Sequence, residues 1–226
     1  MKNRKRRKRK LIRWFLCWIR RLIIAGLIVL TIFLGSFIVN NIRKMFISQV
    51  DVVLDAGHGG ADPGAIQDDT VEKEITLEIA AMTKKMLEES GYKVAMTREE
   101  DKRIELGDRA SFANKRNAKV FVSIHCNASE NHNGYGIETF YTEKKGTENQ
   151  VLAEMIQSAV LEQTDAFDRG IKTADYVVIM RTNMPAVLIE VGFLTNEEEN
   201  KILKNEEYQK KLAQGIAEGI AQYLNR

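Results

Sequence analysis

The sequence predicts an α/β fold: a mixed, mostly parallel central sheet with helices on both faces, preceded by one N-terminal transmembrane helix. Three observations carry that expectation. From residue 50 onward, short apolar runs alternate with amphipathic helical patterns. Ahead of them lies an uncharged apolar run of 18 residues, 22–39, about the minimum for a membrane-spanning helix. The first 50 residues carry thirteen Lys/Arg and no Asp or Glu, and eleven of those cations precede the apolar run.

The order of elements follows. Residues 1–21 are a basic cytoplasmic tail, 22–39 a transmembrane signal anchor and 40–49 a short linker. The excess of cations ahead of the span places the N-terminus in the cytoplasm and residues from 45 onward outside, as a single-pass protein of the cell membrane. A cleaved signal peptide also begins with a basic region. Its apolar part is usually only roughly 7–15 residues, and no clear Ala-x-Ala follows the longer run here. The domain spans 50–226. Its expected strands are 50–54, 93–97, 119–124, 136–141, 176–180 and 186–191. The expected helices are 72–90, ended by Gly91, then 106–117, 149–163, 197–204 and 207–225.

Charge excludes one class of partner. Residues 51–226 hold 21 Lys/Arg against all 31 Asp/Glu, a net charge of −10. Such a domain is a poor candidate for binding nucleic acid through counterion release. The two cysteines, Cys17 and Cys126, fall on opposite sides of the expected membrane, so the chain is not a disulfide scaffold.

In folds of this class ligands bind where strands end, and three strand ends carry unusual residues. Strand 50–54 runs into DAGHGG (55–60), strand 119–124 into HCNA (125–128), and PAVLIEVGFLTN (185–196) holds Glu190 within an apolar run. A buried carboxylate is costly unless paired, hydrogen-bonded or near a metal. Two of the three histidines, His58 and His125, stand at the ends of neighbouring strands. Catalytic zinc sites often use two His and one carboxylate, leaving a position open. Glu72, opening the first helix, fits that third place, although Asp69-Thr-Val-Glu72 also has the spacing of a capping box. Glu74 and Glu78 read as solvated helix acids. Cys126 should point away from His125, because successive side chains on a strand alternate.

The stretches VVLDAGHGGADPGA (52–65), VEKEITLEIA (71–80), GYKVAMTREED (91–101), LGDRASFAN (106–114), VFVSIHCNA (120–128), GIETFY (136–141) and PAVLIEVGFLTN (185–196) together resemble the zinc-dependent N-acetylmuramoyl-L-alanine amidases of amidase type 3. That resemblance implies one Zn2+ held by His58, Glu72 and His125, with Glu190 as the catalytic glutamate that takes and returns a proton. Asn127 and Arg181 are implied as substrate contacts, and Arg98 and Arg109 as structural residues. His132 matches no ligand of the family. The implied reaction is hydrolysis of the amide between N-acetylmuramic acid and L-alanine of the peptidoglycan stem peptide. The short membrane-anchored plan looks most like the sporulation-associated members that prepare cortex peptidoglycan, which implies functional coupling to a peptidoglycan deacetylase. General vegetative amidases share the same motifs. Two rivals stay open: a zinc peptidase cutting within the stem peptide, and a non-catalytic peptidoglycan-binding module.

Overall fold

The computed structural model describes residues 2–46 and 49–226, in two compact units, Met1–Ser48 and Gln49–Arg226. The first unit is one helix, α1 (Lys2–Phe46). It contains the basic tail and the apolar run without a break, and it continues through most of the stretch expected as a linker. Within it Trp18–Val39 is long and apolar enough to cross a membrane. Thr31 sits in that stretch with its hydroxyl donating to the Ile28 carbonyl at 2.8 Å, so this polar group is satisfied within the helix. The side chain of Cys17 lies outside the described residues.

The second unit begins with β1 (Val52–Ala56), a small hairpin of β2 (Ile66–Gln67) and β3 (Thr70–Val71), and α2 (Glu72–Glu89). There follow β4 (Val94–Met96), α3 (Leu106–Lys115), β5 (Val120–Asn127), β6 (Ile137–Tyr141), α4 (Glu148–Thr164), β7 (Asp168–Thr173), α5 (Val177–Met180), β8 (Ala186–Phe193), α6 (Glu197–Leu203) and α7 (Glu206–Leu224). Six strands form one sheet in the order β4-β1-β5-β8-β6-β7. The pairs β4–β1, β1–β5, β5–β8 and β6–β7 are parallel, and β8–β6 is antiparallel. The sheet is therefore mixed and mostly parallel.

Alternation along the central strands sorts the side chains into two layers. Val52, Leu54 and Ala56 of β1, Val122, Ile124 and Cys126 of β5, and Val187, Ile189 and Val191 of β8 face a core shared with α2, α4 and α7. Val53, Phe121, Ala186 and Leu188 face the other way, against Ala113 of α3 and Val178 and Ile179 of α5. The strands are apolar on both faces because helices cover both faces. Continuing the second alternation brings Asp55, Ser123, His125 and Glu190 to the opposite side from Cys126.

Two expectations change. Residues 176–180 form the short helix α5, with Tyr176 as its N-terminal cap residue, rather than a strand. Val178 and Ile179 are both buried in the same layer. A strand would send these neighbours to opposite faces, whereas a single helical turn buries both, and this outweighs the β-branched preference of the segment. Strand β7 has a sequence, Asp-Arg-Gly-Ile-Lys-Thr, that shows no apolar alternation. It lies at the sheet edge, where one neighbour suffices to define it.

Helix α7 lies close against α4. A Cβ on Gly215 would fall 2.5 Å from the Val160 Cα, and one on Gly219 would fall 2.5 Å from the Ile156 Cα. In an isolated helix Gly→Ala gains about 1 kcal/mol. We expect Gly219→Ala to lower the urea midpoint despite that gain, since backbone cannot yield to the added methyl. A raised midpoint would show that α7 moves off α4 freely.

Candidate metal centre

The loop after β1 is held by two arginines. Arg98 donates through Nε to the Ala56 carbonyl (3.0 Å) and through Nη2 to the carbonyls of Gly57 and Lys73 (2.7 Å each). Arg109 donates through Nη1 to the Ala56 carbonyl (2.6 Å) and through Nη2 to the His58 carbonyl (2.7 Å). The three consecutive carbonyls of Ala56, Gly57 and His58 are thereby all satisfied. Arg109 Nη1 also pairs with Asp55 (2.9 Å), and Asp55 accepts further bonds from Thr97 Oγ1 (2.6 Å) and Ser123 Oγ (2.7 Å). Asp55 is fully buried, and a buried charge of this kind persists only when so completely partnered. His58 sits just beyond with φ 59°, a left-handed conformation uncommon for a residue with a Cβ. Here the arginine clamp imposes it.

Glu72 is the first residue of α2. The N-terminal cap position is Val71, with no side-chain cap bond, and Asp69 pairs with Lys204 instead, so no capping box forms. The Glu72 carboxylate turns inward and is 3% exposed. Its Oε2 accepts from the Ala65 amide (2.8 Å) and its Oε1 from the Cys126 amide (3.0 Å). Oε1 also lies 3.1 Å from His58 Nε2 and 3.0 Å from His125 Nδ1. Burial alone would push this carboxyl up, but His125 and His58 oppose it and hold it well below the usual carboxylate range.

The two imidazoles meet edge to face, with centroids 4.9 Å apart. Gly57 lies under the His125 ring: a Cβ there would come within 2.4–2.7 Å of three ring atoms. His58 Nδ1 lies 3.0 Å from Asp62 Oδ1, which orients the ring from behind in the way that carboxylates support metal-binding histidines. Burial lowers the His58 pKa, and the adjacent Glu72 and Asp62 more than reverse this, so His58 is raised overall.

One ligand atom each from His58, Glu72 and His125 lies within 4.8 Å of the others, a group able to hold a metal ion. Glu190 is outside that group. It is the register partner of His125 across β5 and β8, so the two side chains leave the same face of the sheet one strand apart. Glu190 Oε2 is buried with no hydrogen-bond partner, while His58 Nδ1 has only its ion-pair contact with Asp62, outside hydrogen-bond geometry. Unpartnered buried polar atoms are rare, and the Glu190 oxygen belongs to the residue beside the ligand group. The donor set and the orphaned carboxylate oxygen fit a metal with a reacting group beside it. Burial pushes Glu190 up to about 7; Glu72 and Glu138 add to that rise and His125 opposes it.

Cys126 packs in the core on the opposite face, 4% exposed, and burial pushes its thiol well up; it is neither ligand nor nucleophile. Asn127 ends β5 close by, with its amide committed to Glu138 (2.8 Å). Arg181 is exposed; its Nη1 lies beside Gly107 at the start of α3, and its guanidinium makes no bond to the cluster. His132 is a loop residue bonded to the Thr195 carbonyl (2.8 Å). Asp55 and Glu138 belong to the site without being among the residues expected from the sequence. The signal for Asp55 was there, since it interrupts the apolar run VVLDA as Glu190 interrupts VLIEV. Glu138 gives no such signal, because in GIETFY it stands beside polar Thr139 and interrupts no continuous apolar run.

The family described as N-acetylmuramoyl-L-alanine amidase matches residues 52–222. The N-acetylmuramoyl-L-alanine amidase LytC of Bacillus subtilis is 35% identical over 187 residues, covering 82% of this chain; the chain spans only 38% of LytC. The sporulation-specific N-acetylmuramoyl-L-alanine amidase of Bacillus subtilis is 35% identical over 178 residues, 78% of this chain and 69% of that protein. The crystal structure of an N-acetylmuramoyl-L-alanine amidase from Clostridium difficile 630 is 39% identical, with a TM-score of 0.76, covering 79% of this chain and 98% of that one.

Two measurements probe the cluster. Gly57→Ala should leave the far-ultraviolet circular dichroism intact and lower divalent-metal affinity by about tenfold or more, as the His125 ring is displaced. Unchanged affinity would mean that the ring position is not what binds. For the metal-stripped protein, Glu190 carries a folded-state pKa near 7 against an ordinary 4.5. The folded state then keeps a proton that the unfolded state has released, so stability falls as pH rises from 4.5 through 7. The stability gained by Glu190→Gln should grow over that window and level off above it; a gain independent of pH would contradict the burial of this acid.

Proposed function

The chain belongs to the N-acetylmuramoyl-L-alanine amidase family, and from that premise we propose that His58, Glu72 and His125 hold one Zn2+ while Glu190 serves as proton carrier. The reaction is hydrolysis of the amide between N-acetylmuramic acid and the L-alanine that begins the stem peptide of peptidoglycan. One observation carries the assignment of roles: Glu190 stands outside the ligand group yet faces it, with one oxygen buried and unpartnered.

Bound at the three ligands, Zn2+ supplies a Lewis acid for the scissile carbonyl and lowers the pKa of the attacking water towards about 7. The protein does the rest. Glu190 accepts a proton from the water and returns it to the leaving nitrogen, for which a carboxyl raised towards neutrality is suited. Its position on a central strand between buried Ile189 and Val191 keeps it from swinging away. The Glu72 carboxylate, held ionised between two imidazoles, is ready to bind a cation. Asn127 and Arg181 remain the proposed substrate contacts, Asn127 from beside Glu138 and Arg181 from the exposed end of α5 beside Gly107.

Localisation follows from the substrate. We assign the apolar stretch Trp18–Val39 as an uncleaved signal anchor with the N-terminus cytoplasmic, which puts the catalytic domain on the side where peptidoglycan lies. A role in sporulation is supported by likeness to the sporulation-specific amidase of Bacillus subtilis; cortex remodelling coupled to a peptidoglycan deacetylase is the further part of this proposal.

The test is digestion of purified peptidoglycan by the full chain in detergent, with and without Zn2+, read by mass spectrometry. Free peptides beginning at L-Ala and intact muramic acid are expected only with metal. Cleavage inside the stem peptide would replace the amidase by a peptidase, and binding without products would leave a wall-binding module. Glu190→Gln should keep its zinc and lose at least about a hundredfold in rate; loss of zinc from this variant would make Glu190 a ligand.

A further inference from the structure

Glu190 has a second register partner. Across β8 and β6 it faces Glu138, so His125, Glu190 and Glu138 form one row over three adjacent strands on the same face of the sheet. Glu138 is 4% exposed, and its Oε2 accepts from both Arg169 Nε (2.7 Å) and Lys172 Nζ (2.5 Å). Burial would raise its pKa, but Lys172 and Arg169 hold it below the usual range. One carboxylate thus meets two cations, and the surplus positive charge is open to solvent: Arg169 and Lys172 are 30% and 40% exposed.

The pairing of these cations requires a departure from regular strand geometry. Arg169 and Lys172 are three residues apart, which on an unbroken strand sends side chains to opposite faces. Between Ile137 and Thr139 the register of β6 on β7 shifts, so that Asp168 and Ile171 are their partners. Gly170 takes up the extra residue at φ 74°. Bulges of this kind re-aim side chains, and here the bulge turns Arg169 to the face that Lys172 already shares with Glu138. The Arg169 guanidinium also lies over the Phe193 ring at 4.8 Å and donates through Nη1 to the Tyr135 carbonyl at 3.3 Å, which fix its direction.

We propose that Arg169 and Lys172 form a carboxylate-binding wall that selects stem peptides bearing a free acidic group shortly after the scissile amide. This rests on the amidase reading and names a specificity determinant for it. Strands lie about 5 Å apart, so β7 stands about 10 Å from β8 and its proton carrier. An extended peptide advances about 3.3–3.6 Å per residue. A stem peptide leaving Glu190 across β6 brings its second and third residues to the two cations. Glu138 holds those cations in place and offsets half of their charge, so an incoming carboxylate completes the balance without displacing it.

The probes are two N-acetylmuramoyl tripeptides beginning with L-Ala, one with free side-chain and terminal carboxylates at the second and third residues, the other with both as carboxamides. The quantity read is the ratio of kcat/KM for acid over carboxamide, measured on the full chain in detergent. The wild type should favour the acid. Lys172→Met should lower the ratio about tenfold, the worth of one charge-assisted hydrogen bond, and Lys172→Arg should restore it. Arg169→Lys, which keeps a cation for Glu138, should lower it as well. A wild-type ratio near one, or a ratio unmoved in Lys172→Met and Arg169→Lys, overturns this inference and leaves the amidase standing. A wild type that releases no peptide from either probe sinks both readings together.

Discussion

The clamp of Arg98 and Arg109 on the carbonyls of Ala56, Gly57 and His58 is the constraint on which the rest of the site depends. A turn leaving a buried strand exposes carbonyls that must find donors. Most chains would bring water or more backbone. Here two guanidiniums, both 3% exposed, fill that need and carry two buried positive charges into the sheet end. Asp55 balances one of them and is itself anchored to β5 through Ser123 and to the segment after β4 through Thr97. The clamp therefore ties three consecutive strands of the sheet to one loop. His58, in its left-handed conformation, is delivered to a fixed point by it.

From that point the site assembles by register. His125 and Glu190 come from adjacent parallel strands and are paired residues, so their spacing is a property of the sheet and not of their rotamers alone. Gly57 donates its amide to the Ile124 carbonyl (3.0 Å) and leaves room for the His125 ring. Glu72 arrives from outside the sheet, at the head of α2, and is caught by the amides of Ala65 and Cys126. Cys126 thus serves the site through its backbone while its side chain packs in the core behind.

Two buried glutamates in one cluster are driven in opposite directions. Glu72 touches two imidazoles and two amides, and its ionised form is favoured. Glu190 touches no donor with its buried oxygen, and its protonated form is favoured. The same low-polarity surroundings act on both, and the difference lies in how many donors each one meets. This division suits Glu72 to holding a cation and Glu190 to exchanging a proton, as the proposed function requires. Glu138, the register partner of Glu190 on β6, is neutralised by Arg169 and Lys172 and belongs to neither role.

By itself the sequence determined a great deal: the apolar helix, the alternating α/β plan and most strand and helix positions. It also singled out His58, His125 and Glu190, legible because ionisable groups interrupt apolar strands or stand at their ends, whereas Glu72 stood out only through the family resemblance. Periodicity reports burial, and burial of an acid demands a partner, so Glu190 and, in retrospect, Asp55 declared themselves. Tertiary structure alone decided the rest. It made a helical turn of 176–180 by burying two neighbouring side chains in one layer, formed β7 from a polar segment by offering it an edge, and set Arg169 beside Lys172 through a bulge. It also turned the Glu72 carboxylate inward between two imidazoles and left the cap position of α2 to Val71. These outcomes depend on which strands lie side by side and in what register, and contacts between residues far apart in the chain leave no periodic trace in any one segment.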